Sequence, residues 1–104
     1  MRTEVTINEL SIVFLANDQE VKIIATETNA NAREFEITRE RFASGVLPYQ
    51  AKFNAEYCID NMPEEVYEYI DDAGALKNFK NWLTLQYEIA VRNYALGGLG
   101  NENI

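Results

Sequence analysis

Strand-like sequence occupies the first 38 residues of this chain and helix-like sequence follows, and this order constrains the fold more than any other feature. Residues 4–8 alternate between polar and apolar side chains, and residues 10–15 form an apolar run typical of a strand buried on both faces. Residues 21–26 are rich in β-branched side chains, so we expect them to pair with 10–15 as a hairpin. Residues 34–38 alternate again. We therefore predict an antiparallel β-meander of about three strands.

Two shorter helical segments are indicated next. Thr38 is typical of a helix N-cap and predicts a short helix over 39–43 that Gly45 ends. The segment 49–59 fits two patterns, since its aromatic residues recur every four positions while its apolar residues also alternate as in a strand. Pro48, which suits the first turn of a helix, and the alanines favour the helical alternative.

Two clearer helices complete an α+β fold with three to four helices. The first is predicted to begin at Pro63 and to end at about Asp72, with Gly74 as its terminator. The second spans 76–96, has no Gly or Pro, and places seven apolar side chains within an arc of about 120°: Leu76, Phe79, Leu83, Tyr87, Ala90, Val91 and Tyr94. We expect this long last helix to be central to the core of a single domain over 1–96, with 97–104 as a flexible C-terminal tail.

Composition limits the kinds of protein that this chain can be. Its 104 residues match one domain, and a hydrophobic fraction of 47% argues against disorder. The formal net charge of −8 would repel nucleic-acid backbones and anionic lipid surfaces, so we expect neither as a direct partner. A single cysteine, Cys58, fits a reducing compartment. No apolar run approaches the roughly 18 residues of a membrane span. We expect a soluble cytoplasmic protein.

Enzymatic chemistry is disfavoured by what the chain lacks. Without histidine there is no Ser–His or Cys–His nucleophile pair, and Cys58 in its apolar setting is expected to be a small buried residue. The acids at Asp71 and Asp72 lack the ligand spacing of an EF-hand loop. The glycine run at 97–100 follows a helix, whereas a phosphate-binding loop precedes one. We therefore expect no catalytic residue, no cofactor and no metal site.

The strongest positive signal is an acidic segment between Lys52 and Lys77. It contains seven acids and no lysine or arginine, so its charge of −7 accounts for nearly all of the net −8. On a helix from Pro63, the last five of these acids fall within an arc of about 120°. We refer to them as the five carboxylates: Glu64, Glu65, Glu68, Asp71 and Asp72.

Two arguments weigh against a purely solubilising role for the five carboxylates. Acids four positions apart, such as Glu64 and Glu68, repel each other by about 0.2–0.5 kcal/mol. The last two of the five are predicted at the C-terminal end of the helix, where the helix dipole disfavours negative charge. Tyr67 and Tyr69 border the five in projection, and tyrosine supplies interface contact area at low entropy cost. A solvated acidic face with both rings packed inward is the alternative.

Residues 33–42 (REFEITRERF) and 53–69 (FNAEYCIDNMPEEVYEY) resemble the layout of small phage tail-assembly chaperones. The shared layout is a strand ending in Thr-Arg, a helix, an acidic helix opened by proline, and a final apolar helix, and it covers about residues 33–96. The resemblance implies a non-enzymatic protein that sheathes sticky segments of another protein before assembly. Small acidic phage inhibitors of host defence nucleases are similar in size and charge.

The sequence thus predicts a non-catalytic module that docks an acidic helix on the basic surface of a partner protein. Such docking would inhibit or mask that surface, for example by mimicking phosphate spacing in a nucleic-acid-binding groove. The predicted partner-binding residues are the five carboxylates together with two tyrosines: Glu64, Glu65, Glu68, Asp71, Asp72, Tyr67 and Tyr69. The alternative is an assembly chaperone that binds through the apolar surface of the 76–96 helix, which also offers a face for a homodimer.

Overall fold

The computed structural model describes residues 1–42 and 46–100, with the backbone alone for residues 46–50 and 53. Within these residues a four-stranded antiparallel sheet precedes three helices, so the chain is an α+β protein. The strands lie in the sheet in chain order: β1 (Arg2–Ile7), β2 (Leu10–Ala16), β3 (Glu20–Glu27) and β4 (Glu34–Arg41). The helices are α1 (Val46–Asp60), α2 (Glu64–Tyr69) and α3 (Ala73–Gly97).

The predicted β-meander is confirmed, with four strands in place of about three. The expected hairpin between β2 and β3 is present, with Leu15 opposite Lys22. Its turn is fixed by Asn17, whose side-chain oxygen accepts hydrogen bonds from the backbone N–H groups of Gln19 and Glu20 at 2.8 and 2.9 Å. The fourth strand is β1, whose turn into β2 uses a left-handed φ of 54° at Asn8, a conformation that asparagine tolerates.

The helix predicted over 39–43 is wrong for residues 39–42, because β4 continues through Arg41 and Phe42 is not helical. Thr38 therefore does not cap a helix; it lies opposite Ile23 in the ladder, and Arg39 lies opposite Lys22. A bulge at this point turns both Ile37 and Thr38 inward, where both are buried. Pairing with β3 thus outweighs the local capping signal. Residues 43–45, including the predicted terminator, lie outside the described residues.

The helical alternative for 49–59 is correct, since α1 spans that segment. The helix predicted over 63–72 is shorter than expected and ends at Tyr69, where Ile70 leaves helical geometry with φ −122° and ψ 54°. Asp72 instead opens the next helix, because its carboxylate accepts a 2.7 Å hydrogen bond from the N–H of Ala75. Gly74 is consequently part of the first turn of α3 and does not terminate α2.

The core lies between one face of the sheet and the helices. β2 and β3 contribute alternate side chains that are fully buried: Leu10, Ile12, Phe14, Ala16, Val21, Ile23 and Ala25. α3 supplies Phe79, Leu83, Tyr87 and Ala90, spaced as one helical stripe. Phe14 meets the ring of Tyr87 edge-on, with centroids 5.2 Å apart. Burial of β2 on both faces was expected and is wrong, because the side chains that alternate with its core residues are only half-buried.

The end of α3 is attached to the turn between β2 and β3. Gly98 has a φ of 91°, and a Cβ there would lie 2.9 Å from the Asp18 carboxylate, so this approach requires glycine. Asp18 accepts a hydrogen bond from the N–H of Leu99 and donates its own N–H to the carbonyl of Gly100 at 3.4 Å. Residues 101–104 lie outside the described residues, and the flexible tail over 97–104 stays a prediction.

Candidate functional site

The five carboxylates lie along α2 and the link that follows it. Glu64 and Glu65 occupy the first turn of α2, where the helix dipole favours negative charge. Glu68 lies one turn after Glu64, Asp71 lies in the link, and Asp72 caps α3. Four of the five are exposed and Glu65 is half-buried. The structure therefore brings all five to the surface within nine consecutive residues.

The predicted arrangement of the five on one helical arc is wrong, since α2 ends before the last two. The helix dipole favours the negative charge of Asp72, contrary to the prediction, because this residue lies at the N-terminus of α3 and not at the C-terminus of α2. Its position is explained by capping. Asp71 carries no such bond among the described residues, and Glu64 and Glu68 keep the four-residue spacing at which acids repel.

Cations do not neutralise this surface. Within the described parts of the chain, none of the five carboxylates forms an ion pair with a lysine or arginine. Five other acids in those parts do, at nitrogen–oxygen distances between 2.6 and 3.5 Å: Arg2–Glu4, Arg33–Glu27, Arg39–Glu36, Arg41–Glu20 and Lys80–Glu56. Other described acids, such as Glu34 and Glu88, also lack an ion pair with a described residue, but the region around α2 is distinct because five unpaired carboxylates lie there within nine residues.

Tyr67 and Tyr69 use their hydroxyl groups inside the molecule. Tyr67 donates to the carbonyl of Ile59 near the end of α1, and Tyr69 donates to the carboxylate of Glu27 in β3. Asn29 donates to the Tyr69 hydroxyl at 2.9 Å. Both tyrosines are half-buried. They hold α2 against α1 and the sheet, so only the exposed parts of their rings remain for the predicted contact with a partner.

Glu27 is the acid that sequence reasoning missed. Its side chain is fully buried at the end of β3 and accepts from Arg33 Nε at 2.6 Å and Nη2 at 3.1 Å. These bonds, and then the one from Tyr69, lower the pKa of Glu27 from 4.5 to about 2. Burial of an acid with this geometry cannot be foreseen from local pattern, because Tyr69 lies 42 positions away.

The turn between β1 and β2 meets the end of α2. Asn8 donates a side-chain hydrogen bond to the carbonyl of Tyr69, which places the neighbouring Glu9 at the same end of the molecule. Glu9 is exposed, and its carboxylate accepts a 3.2 Å hydrogen bond from Asn29. Asp60, the last residue of α1, is exposed a few residues before α2. We call the five carboxylates with Glu9 and Asp60 the acidic end.

Cys58 and Tyr87 are shielded from solvent. Cys58 is buried, its sulfur lies 3.8 Å from the hydroxyl of Tyr87, and desolvation raises the thiol pKa to about 11. Burial likewise raises the pKa of Tyr87. Among residues 1–42 and 46–100, no three histidine, cysteine or acidic side chains are grouped to hold a metal ion. No helix in that same part combines the length and apolar character needed to cross a membrane.

Comparisons with protein-family models, curated proteins and solved structures found no match. The resemblance to phage tail-assembly chaperones therefore rests on layout alone. That layout differs here at one point, since the strand does not end at Thr38 and Arg39 but runs on to Arg41.

Proposed function

We propose that this protein is a non-catalytic binding module whose acidic end docks on the basic surface of a partner protein and masks it. The observation that carries the proposal is the cluster of five carboxylates within nine residues, none of which forms an ion pair among the described residues. Solubility alone could be provided by a mixture of acids and lysines, yet no lysine lies between Lys52 and Lys77. A partner with lysines or arginines would supply the missing charges.

The charge of such a surface affects mainly the rate at which it associates with a partner. A concentrated negative surface raises the rate of encounter with a positive one, and salt weakens it because the Debye length is about 8 Å at physiological ionic strength. Like-charged partners, including nucleic acid itself, are repelled. The surface therefore selects a protein that uses its own basic groove for an anionic ligand, and occupying that groove inhibits it.

The carboxylates are held in place before any partner arrives. α2 has only six residues and is fixed by buried Val66 and Ile70 and by the hydroxyl bonds of Tyr67 and Tyr69. A surface ordered in advance loses less conformational entropy on binding than a flexible acidic tail. The two tyrosines contribute to the proposed function through this support.

Charge reversal with a matched control tests the proposal. Glu68→Lys and Glu68→Lys/Asp71→Lys leave the cap at Asp72 and the first turn of α2 unchanged, while Glu88→Lys makes the same change on an exposed acid of α3. Immobilised wild-type protein and the Glu88→Lys control should capture the same basic host protein and release it as salt is raised. The Glu68 variants should bind it roughly tenfold or more weakly, mainly through slower association. Equal capture by all variants would contradict the proposal.

A second function is favoured by two exposed leucines on α3. Leu85 and Leu96 are 51% and 80% exposed and lie eleven residues apart, which places them on one face of the helix about 16 Å from each other. Trp82 is less available, because its half-buried ring stacks on Phe79 at 6.3 Å. An assembly chaperone working through this face should lose client binding in Leu85→Ser/Leu96→Ser and keep it in high salt. The acidic-docking function predicts the reverse on both counts.

A further inference from the structure

The sheet has a second face that no described helix covers. Val13, Leu15 and Ile24 lie on it in the middle strands, are half-buried, and are not part of the hydrophobic core or of the side chains packed against it. The helices pack on the other face, through contacts such as that between Phe14 and Tyr87. Together, these three neighbouring side chains form a small apolar patch on the open sheet face.

Charged residues on this face are ordered in rows that run across the strands. Strand register places four residues side by side in a basic row: Arg2, Leu15, Lys22 and Arg39. The next row on the same face is an acidic row: Glu4, Val13, Ile24 and Glu36. Each row has charges at the edge strands and an apolar residue within, so each is complementary to the other and not to itself.

The rows beyond these two continue the pattern. Arg41 and Glu20 lie past the basic row, and Glu34 lies past the acidic row on β4. The face as a whole carries equal numbers of bases and acids: Arg2, Lys22, Arg39, Arg41, Glu4, Glu20, Glu34 and Glu36. In a chain of net charge −8, this face carries no net charge, so two copies can approach on it without strong repulsion.

Symmetry then selects one arrangement of two copies. If the two-fold axis ran along the strands, Arg2 would face Arg39 of the second copy, and Glu4 would face Glu36, so like charges would meet. If the axis runs across the strands between the two rows, every strand faces its own copy. The opposed pairs are then Arg2 with Glu4, Arg39 with Glu36, and Arg41 with Glu34.

We propose that two copies of this chain pack sheet to sheet about this cross-strand axis. Leu15 of one copy covers Val13 of the other, and the stem of Lys22 lies over Ile24. The existing ion pairs Arg2–Glu4 and Arg39–Glu36, at 3.2 and 3.1 Å, become groups of four charges. The same axis sends the two acidic ends to opposite ends of the dimer. This arrangement is independent of the proposed function and would present its acidic surface twice.

The size of the face predicts a weak, reversible dimer. Four strands about 4.8 Å apart, each of about seven residues rising about 3.3 Å, give a face of roughly 19 by 23 Å. Two such faces bury on the order of 900 Å² in total, which is below the range of stable interfaces and within that of weak, transient ones. We expect a dissociation constant in the micromolar range, and we expect added salt to increase it.

Sedimentation of single and mixed variants tests the arrangement. The mass of the wild-type protein should rise from 11.9 kDa toward twice that value with concentration. In a dimer of Glu36→Arg, the new arginine faces Arg39 of the second copy. In a dimer of Arg39→Glu, the new glutamate faces Glu36. Like charges meet in both, so each variant should dimerise roughly tenfold or more weakly. Both positions are exposed, so the fold should survive, as circular dichroism will show. Mixing the two variants should restore dimers, because every opposed pair in the mixed dimer is again Arg with Glu.

A matched control variant on α3 tests whether loss of the dimer is specific to the sheet face. Glu88→Arg makes the same charge change on α3, away from the sheet, and should leave the dimer unchanged. A wild-type protein that stays at 11.9 kDa at every concentration would overturn the proposal. So would a dimer that keeps its affinity in Glu36→Arg and Arg39→Glu but dissociates in Leu85→Ser/Leu96→Ser, which would assign the interface to α3.

Discussion

Glu27 joins three elements through one buried carboxylate. It accepts hydrogen bonds from Arg33 in the loop before β4 and from Tyr69 at the end of α2. A charge removed from water is stable only when it is fully paired, so the bonds to Arg33 and Tyr69 are required once Glu27 is buried. The position of the acidic end therefore depends on a residue that is not part of it.

The lowered pKa of Glu27 makes stability depend on pH in a defined window. Because the folded-state value is about 2 and the ordinary value is 4.5, its contribution is complete above about pH 5 and is lost as pH falls toward 2. Glu27→Gln should lower the free energy of unfolding at neutral pH and flatten the acid limb of its pH profile. Tyr69→Phe, which keeps the bonds to Arg33, should fall between. Urea denaturation across this range measures both, and parallel profiles for wild type and Glu27→Gln would contradict the assignment.

Asp72 acts as a helix cap, and two substitutions separate that role from its charge. Asp72→Ala should destabilise the protein by about 1 kcal/mol, since the N–H of Ala75 loses its acceptor. Asp72→Asn keeps an equivalent cap without the charge and should be close to neutral for stability. Urea denaturation at neutral pH distinguishes them. An equal loss in both variants would mean that the charge, and not the cap, stabilises this end of α3.

At the scale of the element, α2 is too short to be stable alone. Isolated helices of fewer than about 12 residues are marginal in water, so this six-residue helix depends on tertiary contacts. Ile70→Ala should lower the free energy of unfolding by about 2–5 kcal/mol, because the side chain is fully buried.

The milder Ile70→Val should cost about 0.5–1.5 kcal/mol. Urea denaturation of the two variants gives these values, and hydrogen exchange should show faster opening of α2 in Ile70→Ala. A change below about 0.5 kcal/mol in Ile70→Ala would contradict the burial on which the docking of α2 depends.

Elements with strong periodicity could be predicted, and their ends could not. The hairpin of β2 and β3 and the long α3 follow from local pattern, since β-branched runs and a Gly-free apolar stripe point to one structure each. Thr38 was predicted to cap a helix, but the ladder with β3 satisfies the backbone groups that such a cap would serve. At Asp72 the opposite occurred: a residue assigned to the end of one helix opens the next.

The candidate site was predicted in composition but not in geometry. The exposure of Glu64, Glu68 and Asp71 could be expected from charge alone. The inward bonds of Tyr67 and Tyr69 could not, because their acceptors lie on α1 and β3 and are known only once the chain is folded.

At the scale of the molecule, charge is sorted between two surfaces. The acidic end carries uncompensated carboxylates, while the open face of the sheet is neutral and has three of its four acids paired with arginines. The acidic end and the neutral sheet face differ because the net charge of −8 is distributed unevenly along the chain. Under the two proposals made above, the neutral face would meet a second copy and the acidic end would attract a basic protein.

NMR titration of the isotope-labelled protein with a lysine-rich peptide tests whether the acidic end binds a basic partner. Backbone chemical shifts should change at α2, at the link to Asp72 and at Glu9, and added salt should reverse these changes. An acidic peptide of equal length should leave the spectrum unchanged. Shifts concentrated instead on the open sheet face, around Glu4 and Glu36, or no shifts at all, would contradict such binding.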